Sequence, residues 1–162
     1  MSRFIIMMLL VPLLFLQVGC APLQTPQRKP FAGFPYRHNG FDFRKAWKAS
    51  QSPQGLAVDG VLKNIRYFRV ENLEITVSIL RKGEKIFPDE TYFFSGSVER
   101  EEYRDFALVL KNVTVVPGDL LQFIIRYNAL DGTNALSWTS DFTADAVTGI
   151  PVHKAEEMSS DD

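Results

Sequence analysis

The sequence predicts an all-β protein, two antiparallel sheets packed face to face and built from about seven strands. Three observations carry that prediction. From Phe41 onward, apolar and polar residues alternate in short runs of strand length, the pattern of half-buried strands. Turn sequences separate the runs: SPQG at 52–55, RKGEK at 81–85, VPGD at 116–119 and LDGTN at 130–134. No stretch keeps a 3.6-residue apolar period over the length of a helix.

The chain starts otherwise. Arg3 precedes Phe4–Leu16, a run of 13 residues interrupted in its apolar character only by Pro12. A spanning helix needs roughly 20 apolar residues, so 1–19 reads as an export signal that is later removed. Val18-Gly19-Cys20 resembles the lipobox of bacterial lipoproteins, with Gln17 where that pattern favours Leu. Ordinary cleavage after Ala21 fits worse, because Pro22 would follow the cut directly. The resemblance implies cleavage before Cys20 and a diacylglyceryl thioether plus an N-acyl group on Cys20; several acyl chains anchor stably where one binds marginally. Ala21 in place of Asp implies, by likeness to proteobacterial lipoproteins, transfer to the outer membrane with the body facing the periplasm.

Cys20 is the single cysteine, so no disulfide staples the fold and burial must hold it. The 143 residues from Cys20 onward suffice for one domain with a real core. The formal net charge of the whole chain is −1 and no basic patch is dense, which excludes nucleic acid as a partner.

Residues 20–40 read as the lipid anchor and a Pro-rich linker. Pro22, Pro26, Pro30 and Pro35 block helices and favour an extended tether. Its second half, PFAGFPYRHNG, is aromatic, and Phe31, Phe34 and Tyr36 are expected to fold back over the edge of the domain; docking on a partner or on peptidoglycan is the alternative. His38 has no Asp, Cys or second His at ligand spacing, so no metal is expected.

The strands follow in order. FDFRKAWK alternates Phe41, Phe43 and Trp47 against Asp42, Arg44 and Lys48. In LAVDGVLKNI, Gly60 marks a bulge or a close backbone approach. VENLEITVSIL sets Leu73, Ile75, Val77 and Ile79 on one face and Glu74, Thr76 and Ser78 on the other. Ile86 to Phe94 contains Pro88, which confines it to an edge or a bulge. YRDFALVLKN places Phe106, Leu108 and Leu110 together. LLQFIIRY aligns Leu121, Phe123, Ile125 and Tyr127, and ALSWTSDF aligns Leu136, Trp138, Ser140 and Phe142. Seven short strands over about 100 residues suit an immunoglobulin-like sandwich, placed at 41–149. The remainder, 150–162, is expected to be an acidic, disordered tail.

Within these strands lie Gly60 to Asn64, then the Phe106 to Leu108 run, then the Pro117-Gly118 turn. Together they resemble the FxLYD-type and related immunoglobulin-like domains of bacterial envelope lipoproteins, where a G-x-x-x-N segment leads into a strand and an F-x-L strand precedes a PG turn. The likeness spans roughly 56–127 and implies a fold and an envelope setting, with no catalytic residues to carry over.

Nothing in the sequence points to an enzyme or a cofactor. His38 and His153 fall outside the predicted sandwich and face no nucleophile elbow. The carboxylates of VEREEYRD are interleaved with Arg100 and Arg104 as on a solvated hairpin end, and DGTN at 131–134 lacks the spacing of a calcium loop. The expected function is that of a membrane-anchored, non-catalytic protein-interaction or assembly module acting on an envelope protein partner. The alternative is a module for glycans or small ligands, for which Trp47, Trp138 and Tyr92 are the candidate aromatics; Trp47 and Trp138 share the phase of apolar neighbours, which argues core. The candidate interaction face comprises Leu80, Leu120, Ile124 and Arg126. An antiparallel strand with one solvated face is polar there, yet LLQFIIRY is half apolar on it, Leu120 and Ile124 beside Gln122 and Arg126; Leu80 breaks the polar face of its own strand, and Phe93 or Phe94 must also point outward. The aromatic connector PFAGFPY is expected to lie over this face.

Overall fold

In the computed structural model, residues 30–152 are described, apart from Phe87 and Thr133. The signal segment, Gln17, Cys20 and His153 onward lie outside the described residues. Among those described, ten strands form two antiparallel sheets and no helix is present. They are β1 (Tyr36–Asn39), β2 (Phe43–Ser52), β3 (Gly55–Asn64), β4 (Arg69–Arg81), β5 (Glu84–Lys85), β6 (Glu90–Phe93), β7 (Tyr103–Lys111), β8 (Leu120–Asp131), β9 (Asn134–Asp145) and β10 (Pro151–Val152). The first sheet runs β1-β2-β3-β7; the second runs β10-β9-β8-β4-β5, with β6 also paired to β4. This is the predicted β-sandwich, with all seven predicted strands present and three short ones added.

Period-two alternation builds the core because it sends every second side chain into the space between the sheets. Leu73, Ile75, Val77 and Ile79 of β4 and Leu121, Phe123, Ile125 and Tyr127 of β8 are all buried, as the phase of their strands predicts. Across the gap, β2 sends in Phe43 and Trp47. Trp47 packs against Phe123 (5.3 Å between ring centroids), which is stacked on Phe142 at 4.6 Å, and Phe43 meets Tyr127 edge-on at 5.1 Å. Such aromatic pairs contribute about 0.5–1.5 kcal/mol each beyond the area they bury.

Several expectations change. The body reaches beyond 41–149 at both ends: Tyr36–Asn39 pairs with Arg44–Trp47, and Pro151–Val152 pairs with Thr143 and Ala144. Phe41 is not part of the inward set. It precedes β2 in a bend, 73% exposed, over the Arg66 guanidinium, while Asp42 is buried and ion-paired to Arg66 at 3.6 Å. Thr76 and Ser78 point away from the core, as their phase requires, yet both are buried; the Thr76 hydroxyl is hydrogen-bonded to that of Thr91 on β6 at 2.9 Å. Gly60 marks a close approach rather than a bulge, since the β2–β3 register runs through it unbroken. The bulge lies in β4 between Glu71 and Glu74, where Asn72 takes a φ of 49°. Of Phe93 and Phe94, it is Phe93 that faces outward.

Candidate interaction surface

Leu80, Leu120, Ile124 and Arg126 share the outer face of the six-stranded sheet, placed there by the opposite phase of β4 and β8. Register decides how they combine. Leu80 stands opposite Leu120, and Ile124 is flanked by Thr76 and Asp141; between these rows runs the polar row Ser78, Gln122, Thr143. Arg126 lies one row further, bonded through Nη1 to Glu74 Oε1 at 3.2 Å. Glu74 in turn stands opposite Phe93, which is 71% exposed. The face is thus mixed, with the three aliphatic residues half-buried and Phe93 beside the Arg126–Glu74 pair as its most prominent apolar group.

Among the described residues, the aromatic segment from Pro30 to Tyr36 does not cover this face. Phe31 packs edge-on against Tyr103 of β7 at 5.5 Å, and the Phe31 carbonyl accepts a bond from Arg37 Nη2. Phe34 lines a cavity of about 350 Å³ with Lys48, Asp59, Gly60, Tyr92 and residues 105–107. The aromatic segment does fold back on the domain, but over the other sheet. Its side chains follow the strand that holds it: β1 is hydrogen-bonded to β2, so the residues just before it lie beside the four-stranded layer, with Tyr92 the one β6 residue that shares the Phe34 cavity.

Sequence phase placed Trp138 and Leu136 in the core; they are 48% and 57% exposed. Their phase is as expected. Trp138 stands opposite Tyr127 and Leu136 opposite Ala129, both buried and inward-facing. What is missing is a facing strand. β1 covers β9 only near Phe142, on which His38 stacks at 4.5 Å, and the chain then turns at Gly40 back into β2. The inner surface of β9 from Leu136 to Trp138 therefore emerges beyond the four-stranded sheet. Trp47, the other candidate ligand aromatic, is buried in the core and Tyr92 is half-buried.

Ionisable groups serve structure. Burial pushes the Lys45 amine down to about 8, against the opposing pull of Asp42 and Asp141; its Nζ lies 4.6 Å from the centre of the Phe142 ring. Burial likewise pushes the Tyr127 phenol above its ordinary range. Among the described residues, no three His, Cys, Asp or Glu side chains are grouped so as to hold a metal ion, and no helix is long and apolar enough to cross a membrane.

No protein-family profile and no curated protein sequence matches the chain. Among solved structures, it is similar to the GAE domain of yeast GGA1, at 12% identity and a TM-score of 0.38, covering 65% of this chain and 94% of that one. It is also similar to the GAE domain of GGA2p from Saccharomyces cerevisiae, at 10% identity and a TM-score of 0.36, covering 68% of this chain and 99% of that one. Superpositions this loose carry no functional argument.

Proposed function

We propose that the chain is a lipid-anchored envelope protein, held through Cys20 at the outer membrane with its body in the periplasm, and that the sandwich is a non-catalytic module that docks onto an envelope protein. The observation that carries the docking role is the mixed outer face of the six-stranded sheet. Phe93 stands exposed beside the Arg126–Glu74 pair, on the same face as half-buried Ile124, Leu120 and Leu80. Apolar groups set in a polar frame on a rigid sheet suit recognition of a protein surface. The anchor rests on the residues around Cys20 alone.

Crosslinking of the full chain in membranes tests the docking role. Phe93→Glu, and separately Leu120→Glu with Ile124→Glu, should each abolish the crosslinked partner while leaving the folded signal by circular dichroism intact. Retention of the partner in folded variants of both kinds overturns the assignment. The anchor has its own test. Cys20→Ser should abolish palmitate labelling, and Gln17→Leu should speed maturation; normal labelling of Cys20→Ser excludes lipidation there.

One observation favours the glycan or small-ligand alternative: Trp138 is exposed. Titration of tryptophan fluorescence with muropeptides and oligosaccharides separates the two readings, because a saturable change lost in Trp138→Phe supports the ligand module.

A further inference from the structure

The open edge of β9 is a second, independent surface. Among the described residues, β10 pairs with β9 only at Thr143 and Ala144, so Asn134 to Phe142 carry no neighbour strand on that side. Native edge strands are normally blunted by charge, by proline or by shortness, because their free N–H and C=O groups template pairing with another chain. Here Asn134–Ser140, NALSWTS, holds no charge and no proline. Leu136 and Trp138, on the same seven residues, expose their side chains toward the sandwich side of the sheet.

We propose that this edge pairs with the same edge of a second copy of the chain, β9 against β9 in antiparallel orientation across a two-fold axis at Ser137. Two features select this occupant. A residue on the axis of an isologous contact faces its own twin, so a charge there would be repelled, and neither Ser137 nor its neighbours in NALSWTS carry one. An axis at Ser137 sets Leu136 opposite Trp138 of the second copy, and Ser140 opposite its Asn134, apolar against apolar and polar against polar on one face. The seven places also fit the space available. They lie between the hairpin turn at Gly132 and the point where Val152 already occupies the edge beside Thr143.

The chain's own continuation is the rival occupant. Carried along β9 in the register of Val152, it would set Glu157 opposite Trp138 and Ser159 opposite Leu136, and neither covers an apolar side chain.

Cysteine crosslinking in intact cells expressing the full chain tests the pairing. Ser137→Cys should give a disulfide-linked species of twice the chain mass under mild oxidation. The unaltered chain, with Cys20 alone, and Lys111→Cys on the far edge should give at most a tenth as much. Adding Trp138→Glu to Ser137→Cys should remove the dimer band at unchanged protein level. Three results overturn the proposal: no dimer at Ser137→Cys, an equal band at Lys111→Cys, or an adduct of another mass. A dimer that appears only after deletion of 153–162 also overturns it, since the tail then holds the edge in the full chain.

Discussion

Arg81 grips Asp119 through two parallel hydrogen bonds, Nε to Oδ1 and Nη2 to Oδ2, each 2.7 Å long. The pair joins the last residue of β4 to the residue that precedes β8. Asp119 is buried, accepts the Val116 amide at 3.0 Å across the VPGD turn, and offers its carbonyl to the Ala146 amide at 2.9 Å after β9. The Asp119 carboxylate thus fixes the turn and the end of β4, and its backbone carbonyl adds the end of β9.

The Arg81 guanidinium holds the Asp119 carboxyl below its ordinary value of 3.8. A carboxyl with a depressed folded value adds stability that is present above 3.8 and is lost as pH falls through the folded value. Arg81→Ala should therefore lower the urea midpoint at pH 7, and the difference from the unaltered protein should shrink as pH is taken below 3.8. A loss that stays constant as the pH is lowered would show that the arginine acts through packing alone. Arg126→Ala, which breaks the more exposed pair with Glu74, should shift the midpoint far less.

At Gly60 the limit is space. A Cβ there would lie 2.5 Å from Cε1 of Phe106 and 2.7 Å from the carbonyl oxygen of Ala46. Gly60→Ala should cost about 1–3 kcal/mol through overpacking. Adding Phe106→Leu should recover only part of it, since the Ala46 carbonyl belongs to a central strand and cannot yield. Full recovery in chemical denaturation would mean that the ring is the whole obstacle.

Much of this architecture is legible in the sequence, for a definable reason. In β4 and β8 one face is fully buried, so alternation fixes which side chains enter the core, and those eight inward residues are where the phase puts them. Phase also set Leu80, Leu120, Ile124 and Arg126 on one outer face. It could not reveal the Ser78–Gln122–Thr143 row that divides them, because pairing register between β4, β8 and β9 is a property of the assembled sheet. Trp138 is exposed despite its inward phase for a related reason: alternation tells which way a side chain points and is silent on whether a second layer reaches over it. β1 is four residues of mixed polarity after Pro35, with no pattern to announce it. Nor does any local signal connect Arg81 to Asp119.

The contrast between Phe123 and Glu74 checks the phase directly. Phe123 is completely buried between Trp47 and Phe142, and Phe123→Ala should cost about 3–5 kcal/mol. Among the described residues Glu74 makes the partly exposed pair with Arg126 alone, and Glu74→Ala should cost under about 1 kcal/mol. Equilibrium unfolding of the two variants would refute the assignment if their losses were alike.

Lys45 supplies the remaining test, because its amine is buried among apolar rings. Its folded value of about 8 lies below the 10.5 of an unburied lysine, so the unfolded chain binds more protons between those two values. Stability then rises with pH across that window. The cost of holding the charged amine in the core is fully present below pH 8 and is relieved as pH rises toward 10.5. Asp42 and Asp141 moderate that cost, as does the Phe142 ring beneath Nζ. Lys45→Met keeps an unbranched side chain beside the Phe142 ring and removes the charge. At pH 7 it should stabilise the protein by on the order of 3 kcal/mol, and the gain should shrink as the buffer is taken to pH 10. Urea midpoints measured for both proteins across pH 7–10 decide the matter. A Lys45→Met variant less stable than the parent at pH 7 would show that the ammonium is held by the aspartates and the ring more strongly than burial opposes it.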